Sequence, residues 1–301
     1  MAAVRRLRHP CCACRAVVDA VTPLHALIDA LEHDAGLRQP QSLRQRLDAL
    51  DRLELLASTG TGAVQPELGQ RLVRVQEDFD ALNAALYAQL RQDIRRGILP
   101  ALLARCIADA AREDVTGDGY DWRDELLDGV LQLSPPGTAI NALPPDMVAY
   151  QPTPARHILA LLARTRLSAD DVLLDFGSGL GHVPLLTSIC TDAAAIGIER
   201  EPAYVACARA SAHALQRSNV QFHCQDARAA DLARATLLYL YTPFVGAVLR
   251  DMLEILRRHG AGRSLRIAAL GPCVAALAAQ DWLLAEGAPA PDRITLFRPR
   301  R

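Results

Sequence analysis

The sequence contains no lysine, and each of its 33 basic residues is an arginine. Aromatic residues make up only 4% of the chain. No apolar run approaches the roughly 18 to 20 residues that cross a membrane, so no membrane association is expected. With a net charge of -1, the chain also lacks the basic field that favours nucleic acid as a partner. Because alanine is abundant beside arginine, we attribute the missing lysine to a bias in genome composition.

The N-terminus makes a poor signal peptide. Arg5, Arg6 and Arg8 are followed by a weakly apolar segment that Arg15 and Asp19 interrupt. The 8 cysteines are scattered over the chain, several of them inside apolar segments, which is typical of reduced, buried thiols. These features predict a cytoplasmic protein.

One local group of side chains has the chemistry of a metal site. His9, Cys11, Cys12 and Cys14 lie close together in the sequence. Their spacing is too tight for a zinc hairpin, and no second C-x-x-C pair follows. We therefore expect a reduced tail and no bound metal, with metal binding as the alternative.

The first 133 residues favour a helical domain. Apolar residues recur at helical spacing over 17–31, 43–53 and 68–94, and a further helix is predicted around 125–133. The helix over 68–94 carries a single apolar stripe that requires a partner. Packing within the same domain is one explanation of this stripe, and a homodimer formed through these helices is the other.

The stretch VLLDFGSGLGHVPLL, residues 172–186, organises the rest of the chain. It predicts a buried strand, then Gly177, Gly179 and Gly181, and then a helix. Glycines accept positive φ and carry no Cβ, so backbone amides and a helix N-terminus face a bound group there. Asp175 stands at the strand end, within reach of both turn and ligand. A tight turn between two core elements is the structural alternative.

The acid before the turn and the G-x-G-x-G rhythm resemble motif I of the class I S-adenosylmethionine (SAM) methyltransferases. The nearest likeness is to the protein-lysine N-methyltransferases of the non-SET type. The resemblance implies that SAM is the cofactor and that the motif binds it through Asp175, Gly177, Ser178, Gly179 and Gly181. The spacing differs from the G-x-G-x-x-G of nicotinamide enzymes, which argues against an oxidoreductase.

Two later strand ends supply further acids. Glu199 ends the strand over 193–200, where an acid accepts hydrogen bonds from ribose hydroxyls in doubly wound folds. The strand over 219–227 ends in Asp226 and Ala227, and the resemblance implies that these two residues contact adenine. A surface glutamate is the alternative for Glu199, and an N-cap of the following turn is the alternative for Asp226.

A proline-rich segment over 134–154 separates the helices from the glycine strand. Tyr150-Gln151-Pro152-Thr153 resembles a Y-x-P-T element that closes over the methionine end of the cofactor in related lysine methyltransferases. The resemblance implies that Tyr150 contacts the reacting groups and that Thr153 binds cofactor. A plain linker is the alternative.

The acceptor is expected at the end of the strand over 235–244. Tyr241-Thr242-Pro243-Phe244 loosely resembles the N-P-P-Y box of amino-group methyltransferases, although Thr242 replaces Asn or Asp and one proline is missing. Tyr150, Tyr241, Thr242 and Phe244 are therefore the candidate catalytic residues. A strand-end turn with Phe244 in the core is the alternative. His182, which begins the glycine helix, is a weaker candidate base.

Together these patterns predict an α/β fold, a doubly wound seven-strand sheet with a terminal β-hairpin, preceded by helices. The expected parts are a helical domain over 1–133, a linker or lid over 134–154, and a SAM-binding methyltransferase domain over 155–301. The expected activity is methyl transfer to an amine, with a protein lysine as one acceptor. A small-molecule methyltransferase and a non-catalytic SAM-binding scaffold are the alternatives. On this hypothesis the missing lysine has a second explanation, avoidance of self-methylation, which the sequence does not otherwise support.

Overall fold

The structure, a computed structural model, describes residues 21–59, 65–133 and 146–300. The cysteine cluster at 9–14 and most of the proline-rich segment lie outside the described residues. The chain divides into two compact units, whose boundary falls between Gln89 and Leu90. The boundaries expected from the sequence, at 133 and 154, stay predictions.

The first unit is helical. Helix α1 spans Val21–His33, α2 spans Leu43–Thr59, and α3 begins in this unit and spans Pro66–Arg95. Two short 3-10 turns, Ala35–Arg38 and Pro40–Ser42, connect α1 to α2. A fully buried Arg46 joins the parts, because its guanidinium donates to Asn83 Oδ1 at 2.6 Å and to the carbonyls of Leu37 and Gln39. The helical prediction for this part of the chain is confirmed.

The second unit begins with three more helices, α4 (Ala101–Ala110), α5 (Trp122–Leu131) and α6 (Ala155–Thr165). Asp121 and Asp124 form a capping box at the start of α5. Asp124 also accepts a hydrogen bond from the Ala155 amide at 2.8 Å, and so links α5 to the first turn of α6. The sequence pattern assigned no element to α4, and it placed the start of α5 three residues late.

A seven-stranded sheet follows, in the order β3-β2-β1-β4-β5-β7-β6. The first five strands are parallel, and β7 pairs antiparallel with both β5 and β6. This arrangement confirms the doubly wound sheet with its terminal hairpin. The strands are β1 Val172–Phe176, β2 Ala194–Glu199, β3 Val220–Cys224, β4 Leu237–Tyr241, β5 Arg266–Leu270, β6 Leu283–Ala285 and β7 Thr295–Pro299. The connecting helices are α7 His182–Cys190, α8 Pro202–Ala214, α9 Gly246–Gly260 and α10 Cys273–Ala278.

The two faces of the sheet have different roles. Leu174 and Phe176 of β1 point to one face and join a buried apolar cluster with side chains of α9 and α10. Because side chains alternate along a strand, Asp175 points to the other face. Tyr239 is its register partner on β4 and Gly197 its register partner on β2. The chain order reverses between β1 and β4, which is where open α/β sheets bind ligands.

Candidate functional site

A cavity of about 1100 Å³ lies at the carboxyl ends of the parallel strands. It collects residues from five parts of the second unit: the glycine turn, the ends of β2 and β3, the ends of β4 and β5, the segment before α6, and two surface loops. Apart from the weaker candidate His182, which also lines this cavity, eleven of the thirteen residues singled out from the sequence are found in its wall. They are Tyr150, Thr153, Asp175, Gly177, Ser178, Glu199, Asp226, Ala227, Tyr241, Thr242 and Phe244.

The glycine turn brings backbone to the cavity wall. Gly177 has a φ of 72°, and a Cβ there would lie 2.4 Å from the Pro243 side chain. The amides of Gly177 and Ser178 both donate to the Ile198 carbonyl, which ties the turn to β2. The Ser178 hydroxyl is buried and has no hydrogen-bond partner among the described residues. It is therefore a polar atom positioned for a ligand.

Gly179 and Gly181 do not line the cavity. A Cβ on Gly179 would lie 2.1 Å from the Tyr150 ring, so the missing side chain makes room for that ring. Gly181 has a φ of 90° and is the N-cap of α7. A Cβ there would meet the Phe222 ring at 2.7 Å. Both glycines leave room for a neighbouring aromatic ring, and their predicted contact with cofactor stays a prediction.

Asp175 is the most isolated acid of the site. It is 4% exposed, and none of the described residues donates a hydrogen bond to its carboxylate. Burial, followed by the nearby Glu199, raises the pKa of Asp175 well above its usual value. A buried carboxylate without a donor is costly, so this side chain is poised for a cationic or hydrogen-bonding partner.

Glu199, in contrast, is already well supplied with donors. Its Oε1 accepts the amides of Arg200 and Glu201 at 2.7 and 2.8 Å, and its Oε2 accepts the Gly179 amide at 2.9 Å. A carboxylate has about four acceptor positions, so about one remains for a ligand. The carboxylate closes the glycine turn onto β2, and one free position suits one hydroxyl donor.

Asp226 is the N-cap of a 3-10 turn over Ala227–Ala229, which is the alternative weighed for it from the sequence. Arg228 donates to this carboxylate from its amide, Nε and Nη2 at 2.8 to 3.0 Å. These hydrogen bonds lower the pKa of Asp226. Asp226 and Ala227 nonetheless line the cavity, and Oδ2 keeps an acceptor position for a ligand. Capping and ligand binding are therefore compatible at this residue.

The segment over 146–154 lies along the cavity. The Tyr150 ring packs against Gly179, and its centroid lies 5.0 Å from that of Tyr204 on α8. The Tyr150 hydroxyl lies 3.3 Å from Nδ1 of His182. His182 Nε2 is in turn 3.9 Å from Asp128 Oδ1. Tyr150 is thus positioned by the turn and by the start of α7.

Thr153 and Tyr239 form a buried hydroxyl pair. Their oxygens are 3.0 Å apart, with exposures of 7% and 1%. Tyr239 also lines the cavity beside Asp175, and the sequence pattern marked it only as part of an apolar strand. Its position inside a buried strand could have indicated a role in the site, because a buried tyrosine hydroxyl requires a hydrogen-bond partner.

The end of β4 forms the opposite wall. Thr242 has a φ of 40°, and its hydroxyl donates to the Leu270 carbonyl and accepts the Cys273 amide, both at 3.1 Å. Phe244 is 1% exposed and belongs to the apolar cluster, although part of it reaches the cavity. Tyr241 is half-buried, and burial, Tyr120 and Asp118 together raise its pKa. The Tyr241 hydroxyl therefore stays protonated at neutral pH.

Two surface loops and Gly271 at the end of β5 complete the rim, and the sequence pattern did not assign these loops to the site. The Gly117 amide donates to the Asp292 carbonyl at 2.8 Å, and the Gly271 amide donates to the Pro291 carbonyl at 2.9 Å. A buried His157 on α6 binds the Gly117 carbonyl through Nε2 at 2.7 Å. These contacts join residues far apart in the chain, so no local pattern predicts them.

Two other kinds of site are missing from residues 21–59, 65–133 and 146–300. Within these ranges no three His, Cys, Asp or Glu side chains are grouped for a metal ion. Nor does any described helix combine the length and apolar character that a membrane crossing requires.

No protein-family profile and no curated protein matches the sequence. Similar solved structures include an RNA methyltransferase from Salinibacter ruber in complex with S-adenosyl-L-homocysteine, at 24% identity and TM-score 0.39, covering 49% of this chain and 91% of that chain. Another is precorrin-6y C5,15-methyltransferase from Geobacter metallireducens, at 15% identity and TM-score 0.40, covering 51% and 93%. A third is a SAM-dependent methyltransferase from Thiobacillus denitrificans, also with S-adenosyl-L-homocysteine, at 21% identity and TM-score 0.33, covering 38% and 46%. Likeness at this level carries no information on the substrate of this chain.

Proposed function

We propose that this chain is a SAM-dependent methyltransferase that transfers a methyl group to an amine. The observation that carries the proposal is the convergence of Asp175, Glu199 and Asp226 on one cavity. They stand at or just beyond the carboxyl ends of β1, β2 and β3, beside a glycine turn. Acids in this series match the needs of an adenosyl group attached to a cationic amino acid, namely hydroxyl, amino and ammonium donors.

The residues present suit SAM at each of these points. Glu199 has an acceptor position for a ribose hydroxyl, and Asp226 has one for the adenine amino group, with Ala227 lining the cavity beside it. The unpartnered Ser178 hydroxyl and the exposed Gly177 backbone offer polar contacts beside them. Asp175, buried and without a donor, suits a positive group. When bound, SAM supplies an electrophilic methyl group on a positively charged sulfur.

On the acceptor side the chain has to place an amine and let its proton leave. Positioning provides most of the rate in a displacement of this kind. Tyr150, Tyr241 and Thr242 bring hydroxyl groups to the cavity, and Phe244 supports the end of β4. The Thr242 hydroxyl is already bonded to the Leu270 carbonyl and the Cys273 amide, so we assign the polar contact with the amine to Tyr150 and Tyr241. The proton leaves to solvent or to His182, which also lines the cavity.

Protein lysine and a small-molecule amine are both acceptors of this chemistry. The Y-x-P-T resemblance favours lysine, and the position of Tyr150 against the glycine turn supports a role for that element. A homodimer through the N-terminal helices remains part of the proposal for this protein, as does a cytoplasmic location.

Calorimetry on the full chain with SAM, S-adenosyl-L-homocysteine and NAD tests the proposal. We expect both adenosyl compounds to bind and NAD to show no binding. Glu199→Ala should weaken their binding by about 1 to 3 kcal/mol, the cost of a charge-assisted hydrogen bond. Asp170→Asn, an exposed acid at the other edge of the sheet, is the matched control and should not change the affinity. Binding of NAD alone would overturn the proposed function.

A further inference from the structure

We propose that the acceptor is recognised as an alkylammonium ion by the carboxylate of Asp118 and the ring of Tyr241 at the rim of the cavity. This inference rests on the proposed function and specifies its substrate class. Asp118 and Tyr241 both line the cavity, one on the loop before α5 and the other at the end of β4.

The carboxylate of Asp118 has no partner among the described residues. It is exposed at the rim, and it lies close enough to Tyr241 to contribute to the raised pKa of that tyrosine. The loop that carries it is fastened on two sides, to Asp292 through the Gly117 amide and to His157 through the Gly117 carbonyl. Tyr120, two residues further on, donates to the Pro152 carbonyl at 3.0 Å. The Asp118 carboxylate is therefore held at the mouth of the cavity.

The charge of the cavity as a whole also favours cations. Asp175, which suits the positive group of the cofactor, is only 4% exposed, lines the same cavity and receives no hydrogen bond from any described residue. Among the described residues that line the cavity, the acids exceed the bases. The acids are Asp118, Asp175, Glu199, Glu201, Asp226 and Asp292, and the bases are Arg200 and His182. Such a surface attracts an ammonium ion and repels phosphates.

The rest of the mouth is apolar. Val148 and Val245 are 43% and 38% exposed there, and Met147 and Val248 line the cavity beside them. Exposed apolar side chains around a pocket favour an apolar ligand body. An aromatic ring beside a carboxylate favours an ammonium group over a neutral group of equal size. The expected acceptor therefore carries its amine on an apolar chain, as a lysine side chain and a free alkylamine both do.

Titration of simple probes into the full chain saturated with S-adenosyl-L-homocysteine tests the inference. The probes are hexylammonium, hexanol and hexyl phosphate, each followed by calorimetry. We expect hexylammonium to bind about ten-fold or more tightly than the other two, as a charge-assisted contact predicts. Equal or tighter binding of hexanol or hexyl phosphate, or no binding of hexylammonium, would overturn the inference.

Variants connect the effect to the named side chain. Asp118→Asn should weaken hexylammonium by about ten-fold and leave both hexanol and S-adenosyl-L-homocysteine unchanged. Asp170→Asn makes the same change of charge at the opposite edge of the sheet and should affect none of them. An unchanged affinity for hexylammonium in Asp118→Asn would also overturn the inference.

Two further measurements distinguish a protein acceptor from a free amine, and a failure of this inference from a failure of the proposed function. A blocked peptide with one lysine is compared with hexylammonium, and tighter binding of the peptide assigns the acceptor to proteins, whereas weaker binding assigns it to free amines. Either result supports an alkylammonium site. If S-adenosyl-L-homocysteine itself fails to bind, the proposed function fails, and the same probes titrated into the chain alone still decide whether the rim prefers an ammonium ion.

Discussion

Asp175 and Asp226 are the same residue type at the same kind of place, the carboxyl end of a parallel strand beside one cavity. Their surroundings differ completely. Asp175 is buried and has no donor among the described residues, and its pKa is raised. Asp226 has a side chain that is 41% exposed and held by Arg228, and its pKa is lowered.

The difference shows that strand topology determines the position of a carboxylate but not whether the carboxylate is charged. Burial disfavours the charged form of Asp175, whereas the guanidinium of Arg228 favours the charged form of Asp226. In the free protein, Asp175 of β1 therefore lacks a partner that would stabilise its charged form, whereas Asp226 after β3 has one. A ligand cation would gain most by contact with Asp175.

The largest expected change in the free energy of unfolding comes from a substitution in the glycine turn beside Asp175. Gly179→Ala places a methyl group 2.1 Å from the Tyr150 ring at a φ of 51°. Left-handed strain and overpacking together should lower the free energy of unfolding by about 3 kcal/mol. Denaturant unfolding of the two proteins measures it.

A matched control separates the two causes. Gly262 has a φ of 71°, and a Cβ added there would meet only open space, so Gly262→Ala carries the backbone strain alone. Its loss should be about 1 to 2 kcal/mol. Equal losses for the two alanine variants would show that the Tyr150 ring is not confined by the turn.

The next effect concerns the charge state of Asp175. Its folded pKa lies above the unfolded value of 3.8, so its contribution to stability is complete below that pH and is lost as the pH rises through the folded pKa. Asp175→Asn removes this titration. The variant should exceed the wild type in free energy of unfolding by about 2 kcal/mol at about pH 8.

Denaturant unfolding between about pH 5 and pH 9 measures this difference as a function of pH. The excess stability of the variant should grow with rising pH. Asp170→Asn makes the same change at an exposed carboxylate and is the control, which should leave the free energy of unfolding unchanged. If the difference in free energy of unfolding between the variant and the wild type is constant or decreases with rising pH, Asp175 does not carry an unpaired charge in the folded protein.

The smallest effect is expected at the end of β3. Asp226→Asn retains an N-cap side chain but removes the charge that pairs with Arg228. Because the carboxylate is well exposed, solvent screens the pair and the loss should be at most about 0.5 kcal/mol. The lowered pKa means that this stability is present above about pH 3.8 and is lost as the pH falls. Unfolding at neutral pH in low and high salt measures this loss. A gain in stability like the one expected for Asp175→Asn would contradict the contrast between the two acids.

The centre of the sheet was predictable because β1 and β4 are buried on both faces. β4 is a continuous apolar run and β1 is apolar except for Asp175, and the sequence placed both within a few residues of their observed bounds. Helix α4 was missed for a physical reason. Its N-cap is Pro100, which makes no side-chain hydrogen bond, so the chain gives no capping signal there.

The candidate site was predictable only where topology dictates it. The acids at the strand ends follow from the parallel order, and the structure places them on one cavity. The hydrogen-bond partners of the site residues could not be predicted from the sequence, because they depend on tertiary contacts. Thr153 and Tyr239 are separated by 86 residues, and His157 and Gly117 by 40. The rim with Asp118 was missed for the same reason.

The Tyr150 ring occupies the volume that a side chain at position 179 would need. Substitutions at positions 150 and 179 should therefore be correlated during evolution. In homologues that keep the tyrosine, glycine should persist at 179, and a bulkier residue there should coincide with a smaller one at 150. A change at either place is interpretable only when the other is read with it.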